Sequence, residues 1–150
     1  MAIRHLPLPP RVDGISLSSD APYVIAATEN RELCLSIGVE AAIDGSAHPI
    51  YFYIATQVGM GMTVAGLCEA CEFDIKDGPL LASSNVVFCQ PLLTEQPYFV
   101  SGQILSLSRK LSRKLGVMDM LEYELRLALP NGDAVLRTTN SWVLPRRQFV

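Results

Sequence analysis

Apolar and polar positions alternate most regularly in "VMDMLEYELRLALP". Val117, Leu121, Tyr123, Leu125 and Leu127 fall on one side, Glu122, Glu124 and Arg126 on the other, the pattern of a strand with one buried and one wet face. Asn131-Gly132 separates this run from "AVLRTTNSWVLP". That dipeptide is a strong hairpin signal because both positions of a two-residue turn need positive φ, so the last two strands are predicted to pair antiparallel. Further upstream, "YFVSGQILSLS" alternates in part, and "NVVFCQP" is a run of strand length that ends at a proline.

Before residue 74 the period changes. From Gly61 to Phe73, "GMTVAGLCEACEF" sets Val64, Leu67, Cys68 and Cys71 at intervals of three and four, with no proline and few charges, which predicts a largely buried helix. "KDGPLL" ends it. A shorter amphipathic helix is predicted for "TENRELCLSI", Thr28 to Ile37, with Thr28 as N-cap, Glu29 in the first turn, Leu33 and Ile37 four apart and Gly38 as the stop. The opening "MAIRHLPLPPRVDG" contains Pro7, Pro9 and Pro10. Prolines remove donors and favour extended chain, so residues 1–20 are expected to form an arm on the surface or on a partner subunit. No internal repeat interrupts this order of arm, short helix, loop, long buried helix and three or four long strands. A sheet with one apolar face needs a cover, and one long apolar helix is available, so the predicted class is α+β, an antiparallel sheet wrapped around a central helix.

Bulk properties narrow the function. At 150 residues and 49% apolar composition, the chain suits a single domain spanning 1–150. A net charge of -3, with "SRKLSRK" (Ser108 to Lys114) as the only dense basic cluster, argues against nucleic acid as a partner. Cys34, Cys68, Cys71 and Cys89 form no secreted disulfide framework, and no signal segment is visible, so a reducing cytoplasm is expected. No apolar run reaches the roughly 20 residues that cross a bilayer, and no membrane partner is expected. Cys68-x-x-Cys71 lacks a second pair, and His5 and His48 are isolated, so neither a metal nor a cofactor is expected.

The segment Asp44 to Leu67, "DGSAHPIYFYIATQVGMGMTVAGL", carries the candidate chemistry. "GMTVAGL" resembles the start of the central helix in the MaoC-like hotdog family, which contains (R)-specific enoyl-thioester hydratases and 3-hydroxyacyl-thioester dehydratases. "TENRELCLSIG" is similar to the family's helix before the catalytic loop, and "VVFCQPLLTEQPYFVSGQI" to the strands that follow the central helix. The resemblance runs from about Tyr23 to Pro145. It implies a single hotdog domain, dimerisation with itself or with another hotdog subunit, and an acyl thioester of coenzyme A or carrier protein as ligand.

The resemblance also implies where chemistry would sit. "AHPIYF" looks more like the loop of the family's degenerate dehydratase half than like its active loop, in which an aspartate and a histidine act on water and the substrate α-carbon. Aligning Pro49 with the family's proline puts Ser46 in the aspartate position, His48 in the asparagine position and Tyr51 in the histidine position, so both catalytic residue types are absent. In a displaced register, Asp44 and His48 stand four apart and would make an acid/base pair. As bland alternatives, Asp44 is a turn former beside Gly45 and His48 a loop residue bonded to backbone. Gly61 matches the glycine whose amide, at the helix start, holds the thioester carbonyl; its other reading is close helix packing. Between Tyr51 and Gly61 the chain is shorter than in active members.

Ser46, Met60, Val64 and Leu67 are the expected acyl contacts. Arg109, Lys110 and Arg113, with Lys114 and "PRR" (Pro145 to Arg147) nearby, are either a solvated loop or a site for the carrier's phosphates. Ser46 has no G-x-S-x-G context, which argues against a serine hydrolase. Glu69 and Glu72 keep thioester hydrolysis open, since some hotdog thioesterases use an acid on that helix. Two functions remain: an active hydratase or dehydratase using Asp44, His48 and Gly61, with Tyr51 in the site, and a degenerate subunit that completes the acyl tunnel of a partner.

Overall fold

A computed structural model describes residues 5–149. The first four residues of the predicted arm and Val150 lie outside the described residues. The elements are β1 (Tyr23–Val24), α1 (Ala27–Ser36), α2 (Tyr51–Gly59), α3 (Val64–Ala70), β2 (Leu80–Phe88), β3 (Pro97–Ser112), β4 (Gly116–Ala128) and β5 (Ala134–Pro145). The strands form one antiparallel sheet in the order β1-β3-β4-β5-β2.

The alternation read in β4 is the alternation of burial: Val117, Leu121, Tyr123, Leu125 and Leu127 are buried and Arg126 is exposed. The β4–β5 hairpin forms as predicted, by a different turn. Only Gly132 has positive φ, and the amide of Leu129 donates to the carbonyl of Asp133 at 2.9 Å. The left-handed glycine therefore closes a longer loop, and the side chain of Asn131 accepts the amide of Asp133.

Two short helices fill the concave face. The predicted helix over Gly61 to Phe73 starts later, at Val64, where Thr63 accepts the amide of Gly66, and it spans seven residues. Tyr51–Gly59, expected to be loop, is helix α2, and its Tyr51, Ala55 and Thr56 are buried. Gly61 turns the chain between them: its φ is +75°, and a Cβ there would lie 2.0 Å from the carbonyl oxygen of Ser18. Helix α2 is also tied down by polar contacts, since Gln57 and Trp142 both donate to the buried Tyr123 hydroxyl, at 2.7 and 3.0 Å. Helix α1 starts and ends one residue earlier than predicted, and its buried face is shifted, although Leu33 still packs against the core. Asn30 and Cys34 face inward, Ile37 is exposed, and its first amide, that of Ala27, donates to Glu95 rather than being capped by Thr28.

The arm lies on its own sheet. Amides of Gly14, Leu17 and Ser19 donate to the carbonyls of Ile104, Gly102 and Val100, and that of Ile104 donates back to Ile15. Val12 and Leu17 are buried beneath it. The arm and β1 thus cover the free edge of β3, leaving β2 as the open edge, with Leu80, Leu81, Val87 and Phe88 exposed.

One charged cluster is fully internal. Asp119 lies on the inward side of β4 with no exposure, and Arg109 and Arg146 both pair with it at 2.7 Å. Arg109 also donates to the carbonyl of Pro7 in the arm, and Arg146 to the carbonyls of Cys71 and Glu72 at the end of α3. That helix ends in a Schellman arrangement: the amide of Phe73 donates to Cys68, that of Glu72 to Glu69. Glu72 takes the left-handed position, φ +52°, that glycine normally fills.

Two outcomes follow. Asp119→Ala leaves two buried guanidinium groups without their counter-ion and is expected to lower stability by about 3–5 kcal/mol in urea unfolding. Glu72→Gly relieves a left-handed side chain while keeping both carbonyls on Arg146; thermal unfolding is expected to show unchanged or higher stability, by up to about 1 kcal/mol.

Candidate functional site

The segment Asp44 to Pro49 is fixed on both sides. The side chain of Asp44 accepts the amide of Ser46 at 2.9 Å, Gly45 takes a left-handed φ of +84°, and its carbonyl accepts from both the amide and the hydroxyl of Thr94. The amide of Ala47 donates to Leu92, and Ser46 forms an isolated bridge with Leu93. On the other side, the amide of His48 donates to the side chain of Asn30 in α1 at 2.8 Å. The loop therefore has little freedom, and its position follows α1 and the chain between β2 and β3.

Between these walls lies a half-open, mostly apolar cleft of about 600 Å³, lined by Cys34, Ser46, Ala47, His48, Phe88 and Leu92 among others, with Glu40, Cys89 and Gln90 as further polar lining. Ser46 and His48 were expected here. Glu40, Cys89 and Gln90 were not, and only the resemblance of "VVFCQP" to the strand after the central helix hinted at the last two.

Asp44 and His48 are not brought together as an acid/base pair. Asp44 is fully exposed and is not part of the cleft lining; the Ser46 amide holds its carboxyl below the usual range. The Nδ1 atom of His48 accepts the amide of Ile50 at 3.0 Å, at the start of α2. With Nδ1 occupied, neutral His48 carries its proton on Nε2, so it can donate a hydrogen bond into the cleft but has no free lone pair to act as a base.

The other expected site residues separate. Tyr51 is a core residue whose phenol burial pushes up, with a smaller push from Glu29, and it does not line the cleft. Gly61 lies ahead of α3 rather than in its first turn, and it packs on the Ser18 carbonyl. Met60 and Leu67 are buried in the core, and Val64 packs against it. These positions support the fold, and none of them lines the cleft.

The expected phosphate site is corrected in the same way. Arg109 spends its guanidinium on Asp119 and Pro7, and its side chain is only 7% exposed. Lys110 and Arg113 are exposed near the β3–β4 hairpin, away from the cleft lining. Arg146 is likewise buried. The Cys68 and Cys71 thiols are buried and raised by that burial, Cys71 to about 12, which leaves them protonated and inert. Glu69 and Glu72 border a separate shallow depression.

No family model matches the chain, and no curated protein matches it in sequence. Solved structures do. The truncated HadBC complex, a 3R-hydroxyacyl-ACP dehydratase from Mycobacterium tuberculosis, superposes with a TM-score of 0.66 at 13% identity over 89% of this chain and 98% of that one. A MaoC-like dehydratase from Rhodospirillum rubrum gives 0.59 at 14% identity, covering 90% and 93%. A hypothetical thioesterase with coenzyme A from Streptococcus pneumoniae gives 0.57 at 9% identity, covering 92% and 84%. A curled five-stranded antiparallel sheet enclosing short helices, together with these likenesses, identifies the chain as an α+β hotdog fold of the kind seen in MaoC-like dehydratases.

Proposed function

We propose that this protein is an acyl-thioester-binding hotdog subunit of hydratase or dehydratase type that is catalytically degenerate and completes the acyl tunnel of a partner. The observation that carries the reading is the cleft itself: an apolar space of about 600 Å³ beside the Ser46–Pro49 loop, with His48 in its wall and no aspartate joined to that histidine. Such a space suits an acyl chain. Its neutral imidazole donor suits a thioester carbonyl, which it would polarise without removing a proton. The ligand is the thioester of coenzyme A or of a carrier protein. The open, apolar β2 edge supports association with a second hotdog subunit, identical or different.

An active hydratase using Asp44 and His48 remains the competing reading, and hydrolysis through a cleft carboxylate is a minor one, since Glu40 borders the space.

Purified protein is expected to bind octanoyl-coenzyme A saturably and to hydrate neither crotonyl- nor octenoyl-coenzyme A. Hydration that drops about a hundredfold in His48→Ala, the scale of a lost general acid or base, would establish the active reading instead. Release of free coenzyme A that disappears in Glu40→Gln would establish hydrolysis. Alkylation supplies a further check: iodoacetamide is expected to modify Cys89 alone in the folded protein, because Cys34, Cys68 and Cys71 are buried. The adduct should weaken octanoyl-coenzyme A binding about tenfold or more by filling the cleft wall; full retention of affinity would place the acyl chain elsewhere.

A further inference from the structure

The apolar cleft has no lysine or arginine in its lining, so a phosphorylated carrier would have to find its cations beyond it. A second groove, of about 480 Å³, lies on the outward face of the sheet and shares Cys89, just past the end of β2, with the first. Its lining includes Arg126 on β4 and Arg137 on β5. These two arginines are direct cross-strand partners, and the same row continues to Val87 on β2 and Ser101 on β3. Like charges placed directly opposite one another on a sheet face are destabilising unless an anion lies between or beside them.

Only part of that charge is answered within the chain. Arg126 donates to Glu124 at 2.8 Å, and its side chain is 63% exposed. Among the described residues, Arg137 is exposed and takes part in no ion pair. The groove therefore carries an excess positive charge in a protein whose net charge is -3, next to an apolar cleft that has none.

From this juxtaposition, and resting on the acyl-thioester reading above, we propose that the Arg126–Arg137 groove binds the phosphate end of the ligand's phosphopantetheine arm. The arm would pass Cys89 with its thioester in the apolar cleft. Guanidinium groups suit this task because they present paired donors to phosphate oxygens. The same chemistry serves the diphosphate of coenzyme A and the phosphodiester of a carrier protein.

Calorimetric titration with octanoyl-pantetheine, octanoyl-coenzyme A and an octanoylated acyl-carrier protein tests this on the whole chain. The wild type is expected to bind octanoyl-coenzyme A about tenfold tighter than octanoyl-pantetheine at low salt, a preference that shrinks as salt is added. Arg137→Ser and Arg126→Ser should each abolish most of that preference while leaving octanoyl-pantetheine binding unchanged, and Arg137→Lys should restore part of it. A higher affinity for the acylated carrier than for octanoyl-coenzyme A would assign the phosphate to a carrier, and the reverse order to the free coenzyme. A preference that survives both serine variants would overturn the phosphate site, as would equal weakening of both small ligands, which would mean that the arginines act on the fold. Tight octanoyl-pantetheine binding with no gain from phosphate would overturn the groove but leave the proposed function standing. Binding of none of the three would remove that function and the groove with it.

Discussion

The carboxylate of Asp119 sits on the one face of β4 that is otherwise apolar, with no exposure to water. A charge in that position is sustainable only if it is paired and hydrogen-bonded, and the chain meets the demand with two arginines distant in sequence. Each arginine then has donors left over, and these fix other segments. Arg109 holds the arm at Pro7 and lies over the ring of Phe149, while Arg146 holds the last carbonyls of α3 and lies over the ring of Phe73. One buried negative charge thereby links the arm, the end of the chain, α3 and two strands.

The placement of the cleft follows from those attachments. With the arm held down, β3 is covered by arm backbone, and Ser18 meets Gly61 so closely that a side chain there has no room. The turn between α2 and α3 is thus fixed, α2 lies across the sheet, and the loop before it is clipped to α1 through Asn30 and to residues 92–94. The cleft is what remains between α1, that loop and the end of β2. Its geometry is inherited from packing far from it.

The sheet was legible because its signals are local. Alternation in β4 and Asn131-Gly132 each act over a few residues, and neither needs knowledge of a distant partner. Helix α2 was not, because Tyr51, Phe52, Tyr53, Ile54, Thr56 and Val58 have the aromatic and β-branched character of a strand; tertiary contacts such as Gln57 with Tyr123 override it. Arg109 was read with its basic neighbours as a surface group. Its partner is ten residues on, across the β3–β4 ladder, and Asp119 falling on the inward side of β4 was the available clue. At the cleft, Ser46 and His48 lie in the wall. Met60 and Leu67 lie in the core and Gly61 in the turn ahead of α3 against Ser18, outside the cleft lining.

His48 shows how a small change of register alters what a site can do. A histidine after the loop proline, on the helix, would have both ring nitrogens available to a ligand and a carboxylate. Placed before Pro49, it instead accepts the Ile50 amide and helps start α2, so Nδ1 serves the backbone. Recovering a base would require giving up that bond and leaving the Ile50 amide, at the N-cap of α2, without its acceptor. The same contact that precedes the helix therefore restricts the imidazole to donating through Nε2 and leaves it without a free lone pair.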